Sequence, residues 1–154
     1  AVGDYTFVPY KVVWPNIASE IVSSVISYKD KKQILPQHII TLVACESPEE
    51  AHYICAIMNS NIVNFTLQAY SMRGGKSFGD PHVLQNIFIP RFNPKNSVHL
   101  SLAKLSKNSH ELLKVERNDE VKEIEIEINK ISAQMWGLTK EELSDIQMSL
   151  EELL

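Results

Sequence analysis

Residues 71–79, Ser-Met-Arg-Gly-Gly-Lys-Ser-Phe-Gly, gather three glycines, two cations and two hydroxyls in nine positions. Glycine admits φ > 0 and close backbone approach, so such a stretch can turn its N–H groups toward phosphate. Arg73 can grip a phosphate, or the edge of a guanine, with two parallel hydrogen bonds. Arg73, Gly74, Gly75, Lys76 and Ser77 are therefore candidate contacts for an anionic partner. A nucleoside-triphosphate loop is excluded by spacing. That motif needs a glycine five residues before the Gly75-Lys76 pair, where this chain has Tyr70, and it joins a strand to a helix, whereas here a helix precedes the loop. A second cationic group, Lys29, Lys31 and Lys32, falls on a polar turn. Asn16, Gln37 and Gln85 are amides of the kind that read base edges. Tyr10, Tyr28, Tyr70 and Phe78 lie near these positions and can either stack on bases or pack in a core. A plainer account is equally open, in which the glycines shape a turn and the lysines keep loops solvated.

Catalytic residue types are present but not in spacings that do chemistry. The chain has no Gly-x-Ser-x-Gly elbow, no metal-protease histidine pair and no Cys-x-x-Cys. His38, His52, His82, His99 and His110 are scattered, with His99 and His110 on one helix face that solvent exposure would explain. Glu120-Val121-Lys122 ends like a nuclease carboxylate motif but sits in a charged helix, where a solvated face accounts for it. Paired acids such as Glu49-Glu50 and Glu141-Glu142 suit helix N-termini. Cys45 and Cys55 lie in apolar surroundings and read as small buried hydrophobes, which points to a cytoplasmic setting.

The chain of 154 residues is 44% hydrophobic and 22% charged, enough to bury a core, and it has no apolar run long enough to span a bilayer. Its opening lacks both a signal peptide and an initiating Met, and reads as a fragment cut from a longer protein. The net charge of −4 is unevenly divided. Residues 1–110 carry ten cations against seven anions, and residues 111–154 carry five against twelve. A mildly basic body with an acidic tail permits an anionic partner on the body alone.

These residues must be positioned by the elements around them. Tyr5–Trp14, Glu20–Ser27 and His38–Ala44 are β-branched and aromatic runs that predict strands. Ser47, Pro48 and Glu50 announce a helix over an apolar stripe from Ala51 to Phe65, with a break at Asn59-Ser60-Asn61. Asp80-Pro81 predicts a short helical turn, and Asn86–Phe92 a final strand. Beyond it, Val98, Leu102, Leu105 and Leu112 form one stripe. Val121, Ile124, Ile128, Ile131, Met135 and Leu138 form a heptad seam, so two helices fold back near Asn118 as an antiparallel pair. Gly137 then closes a helix, and Thr139 with Glu142 opens the last one. A seam this short suits an intramolecular hairpin or a homodimer contact.

Several segments together resemble one family. They are Tyr10-Lys11-Val12-Val13-Trp14, Ile34-Leu35-Pro36-Gln37-His38, Glu50-Ala51-His52-Tyr53 with Met58-Asn59-Ser60, Arg73-Gly74-Gly75-Lys76-Ser77, Ile89-Pro90-Arg91-Phe92 and Met135-Trp136-Gly137-Leu138-Thr139. In order and spacing they look like the TaqI-like C-terminal specificity region of restriction–modification N6-adenine DNA methyltransferases and fused restriction–methylation enzymes. A weaker likeness is to the target-recognition half of Type I specificity subunits. The resemblance implies a target-recognition module that grips double-stranded DNA opposite a separate catalytic methyltransferase domain of the same parent chain. That domain carries an Asn-Pro-Pro-aromatic motif and the S-adenosylmethionine site. This chain has neither, since Asn93-Pro94-Lys95 is its nearest string, so it should hold no cofactor and be non-catalytic on its own. The family also implies that Arg73–Ser77 can serve the scaffold instead of the reading of bases.

The resulting expectation is an α+β fold. Residues 1–96 form a target-recognition domain with a small twisted mixed sheet and packed helices, and residues 97–154 form a helical, hairpin-like spacer or docking region. The function expected is sequence-specific duplex DNA binding without membrane association, through Arg73, Gly74, Gly75, Lys76, Ser77, Lys29, Lys31, Lys32 and Gln37. The competing reading is a protein-interaction or dimerisation module acting through the C-terminal helices.

Overall fold

A computed structural model describes residues 3–28, 32–71 and 77–153. The fold is α+β, a three-stranded antiparallel sheet packed with six helices. The central strand β1 (Tyr10–Pro15) lies between β2 (Ser24–Ile26) and β3 (Ile40–Cys45), and both neighbours run antiparallel to it. The sheet is thus antiparallel where a mixed one was expected. The connection from β1 to β2 is too short for the crossover that a parallel neighbour needs. Val12 pairs with Val43 and Trp14 with Thr41, and this register turns Val12 and Trp14 into the core.

Two strands are shorter than their sequence pattern. A 3₁₀ turn at Asp4–Phe7 occupies the start of the first run, where the Thr6 hydroxyl accepts the Gly3 N–H at 3.3 Å. Pro9 then offers no N–H to a ladder, so pairing begins at Tyr10. In the second run the backbone N–H of Ser23 goes to Asn59 Oδ1 at 2.7 Å and that of Ile21 to Asn64 Oδ1 at 3.5 Å. Side chains from a helix corner replace a partner strand, and only Ser24–Ile26 remain paired.

Helix α1 (Pro48–Met58) starts as its sequence indicates, with Glu50 N–H donating to Ser47 Oγ at 3.1 Å. The Glu50 carboxylate reaches one residue further back than a capping box, accepting from Glu46 N at 2.7 Å. The helix breaks at Asn59, and α2 (Asn61–Tyr70) begins under its own cap, Ser60. Asp80 caps the short α3 (Pro81–Leu84). Residues 86–92 form no strand. Their carbonyls are taken by side chains instead, Phe88 O by Trp136 Nε1 at 3.0 Å and Pro90 O by the Tyr53 hydroxyl at 2.9 Å. Such partners satisfy backbone carbonyls without a sheet.

Helices α4 (Ser97–Lys114) and α5 (Asn118–Met135) form the anticipated hairpin, and α6 (Lys140–Leu153) packs on α2 and α5. Leu102 and Ala103 of α4 and Ile128 of α5 belong to the same core cluster as Val12, Trp14 and Tyr53. The boundary expected at 96/97 falls at the Asn96 cap of α4, and this core runs across it. No helix among the described residues is long and apolar enough to cross a membrane.

Both ends of the hairpin use a left-handed residue. At Gly137 (φ 72°) the Leu138 N–H returns to Ala133 O at 2.9 Å. Glu116 (φ 58°) occupies the equivalent place after α4, with Arg117 N–H bonded to Leu112 O at 3.1 Å. A side chain in this region costs about 1 kcal/mol relative to glycine. Urea denaturation should therefore show Gly137→Ala losing about 1 kcal/mol and Glu116→Gly gaining a similar amount. A stabilised Gly137→Ala would contradict the assignment, because a Cβ there meets nothing within 4 Å and strain alone is at issue.

Candidate nucleic-acid interface

Asn16, at the end of β1, is a junction of three segments. Its N–H donates to Ile39 O at 2.9 Å and its C=O accepts from Phe78 N at 2.7 Å. Its side chain donates from Nδ2 to His38 O at 3.3 Å and accepts at Oδ1 from the Thr41 hydroxyl. Trp14 Nε1 adds a buried bond of 2.9 Å to Phe78 O. The junction explains one glycine of the 71–79 stretch directly. A Cβ on Gly79 would stand 2.5 Å from Thr41 Oγ1 and 2.8 Å from Asn16 Oδ1.

Ser77 bridges to Ile17, so the C-terminal end of the glycine-rich loop and the turn after Gln37 are fastened to the same end of β1. Gln37 is exposed there, and its carbonyl accepts from Ile40 N at 3.0 Å. Lys32 is also exposed but lies elsewhere. Its neighbour Gln33 donates to Phe7 O and, at 3.2 Å, to Val8 O, next to the opposite end of β1. The six residue steps from Tyr10 to Asn16 separate those ends by about 20 Å of extended chain. Ser77 and Gln37 are thus brought together, and Lys32 is set apart from them. Arg73, Gly74, Gly75, Lys76, Lys29 and Lys31 lie outside the described residues.

Several sequence readings change role. The Asn16 side chain is occupied in holding the junction and is not a free reader of bases. Phe78 is fully buried and belongs to the core, whereas Tyr28 and Tyr70 are 54% and 59% exposed at the bases of the two cationic segments. Lys11 is only 1% exposed, with Nζ bonded to Val8 O at 2.6 Å, and burial lowers its pKa. One of the ten cations of the basic body is therefore withdrawn from any surface field. Its place between Tyr10 and Val12 in a strand was the available sign, because alternation puts Lys11 on the face of Val13.

The histidines of α4 face inward. His99 stacks on Tyr53 at 4.4 Å and accepts from Asn93 N at 3.1 Å, and burial lowers its pKa. His110 Nδ1 lies 2.7 Å from Ser106 O, a carbonyl that can only accept, so Nδ1 carries the proton. Nε2 is then the acceptor for Val25 N–H at 3.1 Å, and neutral His110 ties α4 to β2. His52 of α1 meets the same ring edge-on at 4.9 Å and bonds Ser106 Oγ at 3.1 Å. Burial first, then His110 and Lys107, push His52 down to about 4. The face shared by His99 and His110 is the packed face, where solvent exposure had been the expected explanation.

Cys45 and Cys55 are free and buried, and burial pushes the Cys45 thiol up to about 12. Among the described residues no group of three or more His, Cys, Asp or Glu is placed to hold a metal ion. Protein-family models, curated proteins and solved structures yield no match to this chain.

Proposed function

We propose that the chain is a DNA target-recognition domain of a restriction–modification N6-adenine methyltransferase or fused restriction–methylation enzyme. It binds duplex DNA sequence-specifically and is non-catalytic by itself. Chemistry and S-adenosylmethionine belong to a separate catalytic domain, and the complex works in the cytoplasm. The observation that carries this reading is the Asn16 junction. It fastens the end of the Arg73–Ser77 loop and the Gln37 turn to one end of β1, with Tyr70 exposed at the base of that loop. Lys29, Lys31 and Lys32, beside exposed Tyr28, supply a second point of contact. The two ends of β1 lie about 20 Å apart along extended chain, which corresponds to about six base-pair steps of 3.4 Å. Cations would fix the phosphates while Arg73 and Gln37 meet base edges, and the tyrosines offer faces for stacking.

Binding of a labelled mixed-sequence duplex, followed by fluorescence anisotropy from about 50 to about 200 mM salt, tests this proposal. Each phosphate neutralised contributes about −0.9 to the slope of log K against log salt. Arg73→Ala with Lys76→Ala should lower the magnitude of that slope by about two and weaken binding by about 10- to 100-fold. Absence of binding at the lowest salt, or an unchanged slope in the double variant, would remove the support for this reading.

A further inference from the structure

The α4–α5 hairpin carries a groove of about 500 Å³ that α6, packed against α2 and α5, leaves open. Leu105 and Leu112 of α4 and Ile124 of α5 make its apolar floor. Glu111 stands on the α4 side, and Glu120, Glu123 and Glu127 stand on the α5 side. Leu105 and Leu112 are seven residues apart, two helical turns, so the floor matches the i, i+3, i+7 face of a helix laid along the groove. The rim fixes the charge of that helix. Bringing further carboxylates against four glutamates is unfavourable, whereas lysines or arginines flanking an apolar stripe would be complementary. The cations already present are local i,i+3 partners, Lys114 with Glu111 at 2.8 Å, Lys130 with Glu127 at 3.8 Å, and Arg117 with Glu120. Exposed pairs of this kind are weak and readily exchanged. Glu123 makes no ion pair among the described residues.

We infer that this groove docks a basic amphipathic helix of a partner protein, completing a three-helix arrangement with α4 and α5. The inference stands on the hairpin alone and is independent of DNA binding. The probe is a labelled Leu/Lys peptide of about four helical turns, with leucines on one face and lysines flanking them, beside a Leu/Glu twin. The Leu/Lys peptide should bind at least about tenfold more tightly than the twin. Glu123→Lys with Glu127→Lys, at exposed positions that leave the circular dichroism unchanged, should cut that binding by about tenfold or more. Leu112→Lys should abolish it. Equal binding of the two peptides, binding that survives charge reversal, or no binding at millimolar peptide would overturn the inference. So would a concentration-dependent dimer lost in Leu112→Lys, which would give the groove to a second copy of the chain.

Discussion

Lowering the pH from 6.5 to 4 is expected to remove on the order of 3 kcal/mol of stability through His52 alone. Its pKa falls from the ordinary 6.5 to about 4 in the folded chain, first because burial penalises the imidazolium and then because His110 and Lys107 stand nearby. The folded state therefore holds His52 neutral, while the unfolded chain takes up a proton below 6.5. The sign follows from this difference. The contribution is fully present above pH 6.5, declines as pH falls through the window, and levels off below about 4. Urea denaturation at a series of pH values should show the wild-type midpoint falling between 6.5 and 4. His52→Asn, which keeps a polar atom near Ser106 Oγ, should flatten that part of the profile while costing some stability at neutral pH. An unchanged slope in His52→Asn would show that other groups carry the acid sensitivity.

The second large effect is expected at Trp14. It is 2% exposed, it fills the core beside Tyr53 and Phe78, and its indole N–H holds Phe78 O. Trp14→Ala should cost about 3–5 kcal/mol through lost burial and a residual cavity. Trp14→Phe keeps most of the apolar volume but leaves the Phe78 carbonyl without its buried donor, a loss of about 1–3 kcal/mol. The two variants separate packing from positioning. Under conditions where Trp14→Phe remains folded, the duplex binding proposed above should weaken severalfold, because the segment ending at Phe78 loses an anchor. Full affinity in folded Trp14→Phe would mean that this segment takes no part in binding.

The sequence was most legible where structure is set locally. The caps at Ser47, Asp80 and Thr139, the left-handed Gly137 and the break after Met58 all involve groups within a few residues of one another, and they appear where expected. The heptad seam was legible for a related reason, since a period of three and four can be satisfied only by a helix with one packed face. What escaped depends on distant partners. Residues 86–92 have strand-like composition, but their carbonyls belong to Tyr53 and Trp136, far away along the chain. The second strand was overextended because Asn59 and Asn64 claim its N–H groups. Within the candidate site, residue types suggested Asn16 as a reader, and only its four bonds reveal a junction. The separation of Lys32 from Gln37 was equally hidden, although only four positions intervene in the sequence, because the chain between them runs back along the sheet.

The core that runs from Val12 and Trp14 through Tyr53 to Leu102 and Ile128 bears on how such a protein could be re-engineered. A graft ending at Asn96 would strip α1 of the helix that covers His52 and Tyr53, leaving apolar surface, His52 without His110 and Ser106, and Tyr53 without the ring of His99. Anyone exchanging this domain for another would need to carry the basic body and the acidic hairpin together. New residues are better written at exposed positions outside the helices, such as Lys32 and Gln37, than into the packed elements.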